Sequence, residues 1–173
     1  MYRNFKSMEQ SGFTIIEVLI SVLVISIGLL GMAGLQTTGI QQSHNSYLKT
    51  QASMLAYDMA DRMRSNLQGV AAGNYNSVDN GTLDLIGTEP ACATSDACTA
   101  AETANVDIYQ WTSADTDSAL AKALPSGHGT VENDGGVFTI TVMWDEKRNG
   151  ATGKGCDSTD ATDMKCFQLE FIP

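Results

Sequence analysis

One carboxylate, Glu17, stands inside the longest apolar run of the chain, residues 13–35 (FTIIEVLISVLVISIGLLGMAGL). A charged group at the centre of a membrane-spanning helix costs about 2.5–3.5 kcal/mol, and less near the interface. Spans tolerate such a group where it has a partner, yet the next basic residue after Glu17 is Lys49. The partner must come from another chain, or from a new amino terminus made by cutting this one. Four cysteines are the second set of reactive groups, Cys92 with Cys98 and Cys156 with Cys166. Neither pair has zinc-ribbon spacing, and neither His44 nor His128 lies near them. An even count in an exported domain favours disulfides. Of three possible pairings the local ones, Cys156–Cys166 and Cys92–Cys98, are preferred. Asp157, Asp160 and Asp163 recur every third residue. A calcium loop of the EF-hand type needs acids at alternate positions, a central glycine and a distant Glu, so these read as solvated carboxylates. No hydrolase elbow, phosphate loop or zinc-protease motif occurs. The expectation is a protein that is not an enzyme and holds no metal or cofactor.

Charge is unevenly placed along the 173 residues. The total is −10, but residues 67–173 hold five Lys/Arg against sixteen Asp/Glu, a net of −11. An acidic portion of this kind argues against unaided binding to nucleic acid or anionic lipid, which require basic patches. The apolar run of 23 residues would span about 34 Å as a helix, enough to cross a bilayer core. Arg3 and Lys6 precede it, which predicts a cytoplasmic N-terminus with everything after the span outside. The run exceeds the usual core of a cleaved secretory signal.

Gly12 followed by Phe13-Thr14-Ile15-Ile16-Glu17 and an apolar helix resembles the class III signal of type IV prepilins and pseudopilins. The resemblance implies that a membrane prepilin peptidase cuts after Gly12 and methylates the new amine of Phe13. It also implies that Glu17, fifth from the cut, pairs with the amine of a neighbouring subunit. A buried carboxylate and a buried ammonium are each costly alone and tolerable together. Residues 26–36 (SIGLLGMAGLQ) and 56–66 (AYDMADRMRSN), with weaker likeness around Trp111, 119–127 and 138–146, are similar to the minor pilins called type IV pilus modification proteins, the PilV type. Residues 67–105 carry no such likeness.

The elements predicted around these residues form an α+β, pilin-like fold. A long N-terminal helix packs on a small antiparallel β-sheet and is followed by a disulfide-bounded C-terminal loop, of the kind the resemblance implies. Residues 1–12 are read as a removed leader, 13–40 as the membrane or filament-core half of the helix, and 41–173 as a periplasmic globular domain. Gly28, Gly31 and Gly34 would permit close helix–helix approach, and the family likeness makes 28–34 a candidate for local unwinding on assembly. Leu48, Ala52, Leu55, Met59, Met63 and Leu67 form an apolar stripe at helical spacing, and Asp58 with Arg62 an i,i+4 pair beside it. The helix is predicted over 13–67, about 80 Å long. Residues 68–105 read as a long loop, and 106–124 as a helix interrupted by Asp115 and Asp117. Residues 129–132 and 137–144 read as a hairpin through Asn133-Asp134-Gly135-Gly136, with a closing strand through Phe167, Leu169 and Phe171. Trp111 and Trp144 are expected in the core.

The function this implies is that of a minor pilin joining others to prime or cap type IV pilus assembly, with roles in twitching motility and adhesion. The alternatives are a minor pseudopilin of type II secretion or a filament-tip adhesin. Partners would be the prepilin peptidase, other minor and major pilins, the bacterial inner membrane and the assembly machinery. The location would be that membrane, single-pass with a periplasmic head, and then the filament at the cell surface.

Overall fold

The computed structural model describes residues 12–79, 92, 98–112, 118–157 and 159–173. The expected leader, apart from Gly12, lies outside the described residues, as do Asp115 and Asp117. The chain divides into two units, residues 1–43 and 44–173.

The first unit is the opening part of helix α1 (Ile15–Ser65). It is exposed throughout, and its best 18-residue window has a mean hydropathy of 2.6. Among the described residues α1 is the one helix long and apolar enough to cross a membrane. Every hydroxyl between residues 15 and 38 is turned back into the helix. Ser21 donates to the Glu17 carbonyl at 2.7 Å, Ser26 to Val22 at 2.7 Å, Thr37 to Ala33 at 3.1 Å and Thr38 to Gly34 at 3.2 Å. Such i→i−4 bonds satisfy a donor without water, which an apolar surrounding demands. Residues 28–34 are helical, and a Cβ added at Gly28, Gly31 or Gly34 would meet open space.

The second unit is built on the rest of α1, which buries Leu48, Ala52, Ala56, Met59, Ala60 and Met63. The expected stripe holds except at its end. Leu67 is 56% exposed because α1 stops at Ser65 and a separate short helix, α2 (Leu67–Ala71), begins. Asn66 causes the break: its side chain caps α2 by accepting from Gly69 N at 3.2 Å, and also donates to Tyr75 Oη and the Ala100 carbonyl.

The region expected to be loop contains more structure than its composition suggests. After α2 come strand β1 (Ser77–Asp79) and helix α3 (Ala100–Thr112), which starts six residues before the predicted 106. Thr99 and Glu102 start it with a reciprocal capping box: Glu102 N donates to Thr99 Oγ1, and Thr99 N and Oγ1 both donate to Glu102 Oε2. These bonds from Thr99 hold the Glu102 carboxyl below its ordinary range. The predicted single helix over 106–124 is therefore two, α3 and α4 (Ala119–Ala123), the latter capped by Ser118 and ended at Pro125.

Strands β2 (His128–Asp134), β3 (Val137–Trp144) and β4 (Lys165–Phe171) complete an antiparallel sheet of order β1-β2-β3-β4. The β2–β3 turn places Gly135 and Gly136 at φ of 60° and 95°, the left-handed values a two-residue hairpin loop needs. One face of β3 presents Phe138, Ile140, Val142 and Trp144 to the core formed with α1, α3 and α4. The half-buried strand expected from alternation is buried on both sides near its end. Met143, on the other face, sits in a second small core with Ala151 and Met164, beside Cys156 and Cys166. Asp145 follows at once and is 3% exposed. Burial pushes its carboxyl up, but the backbone N–H groups of Gly150, Asn149, Ala151 and Arg148 outweigh this and hold it below the usual range.

Trp111 is the keystone of the larger core. It is fully buried, its Nε1 donates to the Leu55 carbonyl at 3.0 Å, and its ring lies where a Cβ on Gly129 would come within 2.5 Å. Arg62 links α1 to α3 by bonding Asp58 at 2.9 Å, Gln110 at 3.0 Å and Asp107 at 3.4 Å. Tyr75 donates to the other Asp107 oxygen at 2.6 Å. Burial, and then the Asp107 bond, push the Tyr75 hydroxyl far above its ordinary range.

Asp79 gathers the sheet edge, accepting from Lys154 Nζ at 2.8 and 2.9 Å and meeting His128 Nε2 at 2.9 Å. Burial of the imidazole, then the Lys154 charge, depress its basicity, against a smaller opposing pull from Asp79. A histidine with a folded pKa below its unfolded 6.5 binds fewer protons folded than unfolded. Its effect on stability is unfavourable below the folded value, and vanishes above 6.5. The thermal midpoint of the detergent-solubilised chain is expected to fall between pH 7 and about 5.5, with the slope flattened in His128→Gln. A wild-type midpoint that is level across that window contradicts this assignment.

Candidate processing and assembly site

Gly12, Phe13 and Thr14 precede α1 in non-helical conformation, and all three are exposed. Phe13 is 85% exposed, so the Gly12–Phe13 peptide bond stands on an accessible segment immediately before a rigid helix. Nothing lies within 4 Å of a Cβ built on Gly12.

Thr14 fixes where the helix begins. Its Oγ1 accepts from Glu17 N at 3.3 Å, and its carbonyl accepts from Glu17 N and Val18 N at 3.1 and 3.3 Å. Thr14 is therefore the N-cap and Glu17 the third helical residue, the two positions that define a capping box. A carboxylate in the first turn also meets the positive end of the helix dipole. Among the described residues no ion pair or side-chain hydrogen bond engages the Glu17 carboxylate. Sequence reasoning singled out Gly12, Phe13 and Glu17 but not the Thr14 cap, although a Thr-x-x-Glu ahead of an apolar run was the available signal.

The structure places the four cysteines in two disulfides, Cys92–Cys98 and Cys156–Cys166. The second bridges the segment after β3 to β4, across ten positions of sequence. Within the same segment Asp157 and Asp160 are tied to Thr159 and Thr162, and these bonds hold both carboxyls below their ordinary range. Among the described residues no group of His, Cys, Asp and Glu is arranged to hold a metal ion.

Two family models match the chain. The prokaryotic N-terminal methylation motif matches residues 7–33, which contain Gly12 through Glu17. The model described as type IV pilin Tt1218 matches residues 34–109, running through the remainder of α1, through α2 and β1, and into α3. This second match crosses residues 67–105, where the sequence showed no family likeness. No curated protein and no solved structure matches the chain. With an N-terminal methylation motif at the start of α1, the Tt1218 match beyond it and a helix packed on a four-stranded sheet, the chain is similar to type IV pilins over residues 7–109.

Proposed function

We propose that this chain is a minor pilin, of the kind that joins other minor pilins to prime or cap a type IV pilus, and that its role is structural rather than catalytic. The observation that carries the proposal is the Gly12–Glu17 segment: an exposed, side-chain-free position, then a capped helix start whose first turn holds a carboxylate that pairs with no cation among the described residues. Cleavage after Gly12 by a prepilin peptidase would create an ammonium at Phe13 while leaving the Thr14 cap intact. The Phe13 amine, methylated, and the Glu17 carboxylate of an adjacent subunit would each supply what the other lacks in an apolar surrounding. Before assembly α1 would anchor the chain in the inner membrane, with the second unit in the periplasm. The earlier likeness to PilV-type minor pilins supports the pilus over a type II secretion pseudopilus.

Shearing surface filaments from cells and searching them for this chain by mass spectrometry tests the reading. The chain is expected there, beside a larger amount of a major pilin. Its absence from filaments, together with lost exoprotein secretion on deletion, assigns it to a secretion system instead. In the same assay Glu17→Ala is expected to be cleaved and membrane-inserted, yet at least tenfold depleted from filaments, the scale of a lost charge pair. Undiminished incorporation would show that the carboxylate does not pair during assembly.

A further inference from the structure

A groove of about 310 Å³ lies between Ser46 and Lys49 of α1 and Trp144, Glu146 and Lys165 at the facing ends of β3 and β4. Three features set it apart from the rest of the second unit. It carries two lysines against one glutamate, whereas residues 67–173 as a whole carry five Lys/Arg against sixteen Asp/Glu. Among the described residues neither lysine forms a salt bridge, and Lys165 acts on Asp157 only through its charge. Trp144, which lines the groove, is 3% exposed, and its indole N–H is buried with no acceptor. Buried tryptophan N–H groups normally find a partner, as that of Trp111 does with the Leu55 carbonyl.

We propose that this groove receives an aspartate or glutamate side chain presented by the head of a neighbouring pilin-like subunit. The proposal rests on the assembly reading above, since it requires subunits side by side. Charge complementarity selects the occupant. Heads as acidic as this one repel each other over most of their surfaces, so a stable head-to-head contact needs a place where one of them is locally basic. Lys49 and Lys165 supply it. One lines the groove from α1 and the other from the start of β4.

Zero-length carbodiimide coupling, which joins a lysine amine to a carboxylate already in contact with it, reads the contact directly. Applied to membranes and filaments holding the full-length chain, it is expected to link Lys49 or Lys165 to an Asp or Glu of another subunit, identified by peptide mass spectrometry. Both lysines remaining unlinked, linked only to Glu146 or Asp157 of the same chain, or linked to phospholipid headgroups would overturn the proposal. The double variant Lys49→Glu/Lys165→Glu is expected to reduce filament incorporation at least tenfold with the membrane level of processed chain unchanged. Lys49→Arg/Lys165→Arg should retain incorporation. Charge reversal without loss of incorporation also refutes the site. Should the unaltered chain be missing from filaments, the assembly reading fails by itself, while the cross-link in membranes still reports whether the groove holds a carboxylate.

Discussion

Gly12→Leu is expected to leave the chain entirely in its uncut form, with no species beginning at Phe13. The argument rests on where Gly12 sits. It lies outside α1, is exposed, and a Cβ there meets nothing within 4 Å, so the substitution disturbs no part of the fold. Loss of processing would thus report recognition by the peptidase alone. On the proposed processing, a membrane-embedded peptidase closing on the backbone at this position would have room for a hydrogen but not for an isobutyl group. Transition-state stabilisation lost at the scissile bond lowers turnover by orders of magnitude, because each 1.36 kcal/mol of barrier is a factor of ten. Intact-mass measurement of the membrane-extracted chain decides it: a mature mass in the variant would move the cut site elsewhere.

The largest expected loss of stability belongs to Trp111→Ala. The indole is fully buried, packs against Gly129, and donates to the Leu55 carbonyl of α1. Truncating a buried Trp in a packed core costs about 3–5 kcal/mol, since neighbours refill the space only in part. That is a large share of the roughly 5–15 kcal/mol available to a domain. The substitution should lower the urea midpoint of the second unit sharply and raise its susceptibility to proteolysis. Trp111→Phe retains most of the ring and loses the hydrogen bond, for which about 1 kcal/mol is expected. Urea denaturation of the detergent-solubilised chain separates the two, and equal midpoints for Trp111→Ala and wild type would remove Trp111 from its central role.

Features with a strong period were legible in the sequence. The apolar run, the Leu48-to-Met63 stripe and the alternation of Phe138 to Trp144 each predicted an element that the structure contains. The misses share a different cause. Residues 100–105 are small and polar, and what marks them as helix is the Thr99–Glu102 box rather than any stripe. The same pattern at Thr14 and Glu17 was overshadowed by the chemistry of the carboxylate itself. Residues 66–79 are held by polar contacts between positions far apart, Asn66 with Ala100, Tyr75 with Asp107 and Asp79 with Lys154. Such pairings have no local signature, since each partner alone reads as an ordinary surface residue. Burial of Met143 on the second face of β3 depends on Ala151 and Met164, which the 147–165 segment brings back over the sheet.

The back-bonded hydroxyls of α1 bear on how this segment would change surroundings. Ser21, Ser26, Thr37 and Thr38 each close their donor within their own helix. In the proposed assembly, a helix so finished would have no hydroxyl donors to trade if lipid were exchanged for the flanks of other helices, so the two settings would be nearly equivalent for that part of the chain. The discriminating group is then the carboxylate of the first turn. Under the proposed assembly, transfer would become a decision made at a single residue: the helix would slide until Glu17 met an ammonium, and that encounter would fix the depth at which the subunit stops.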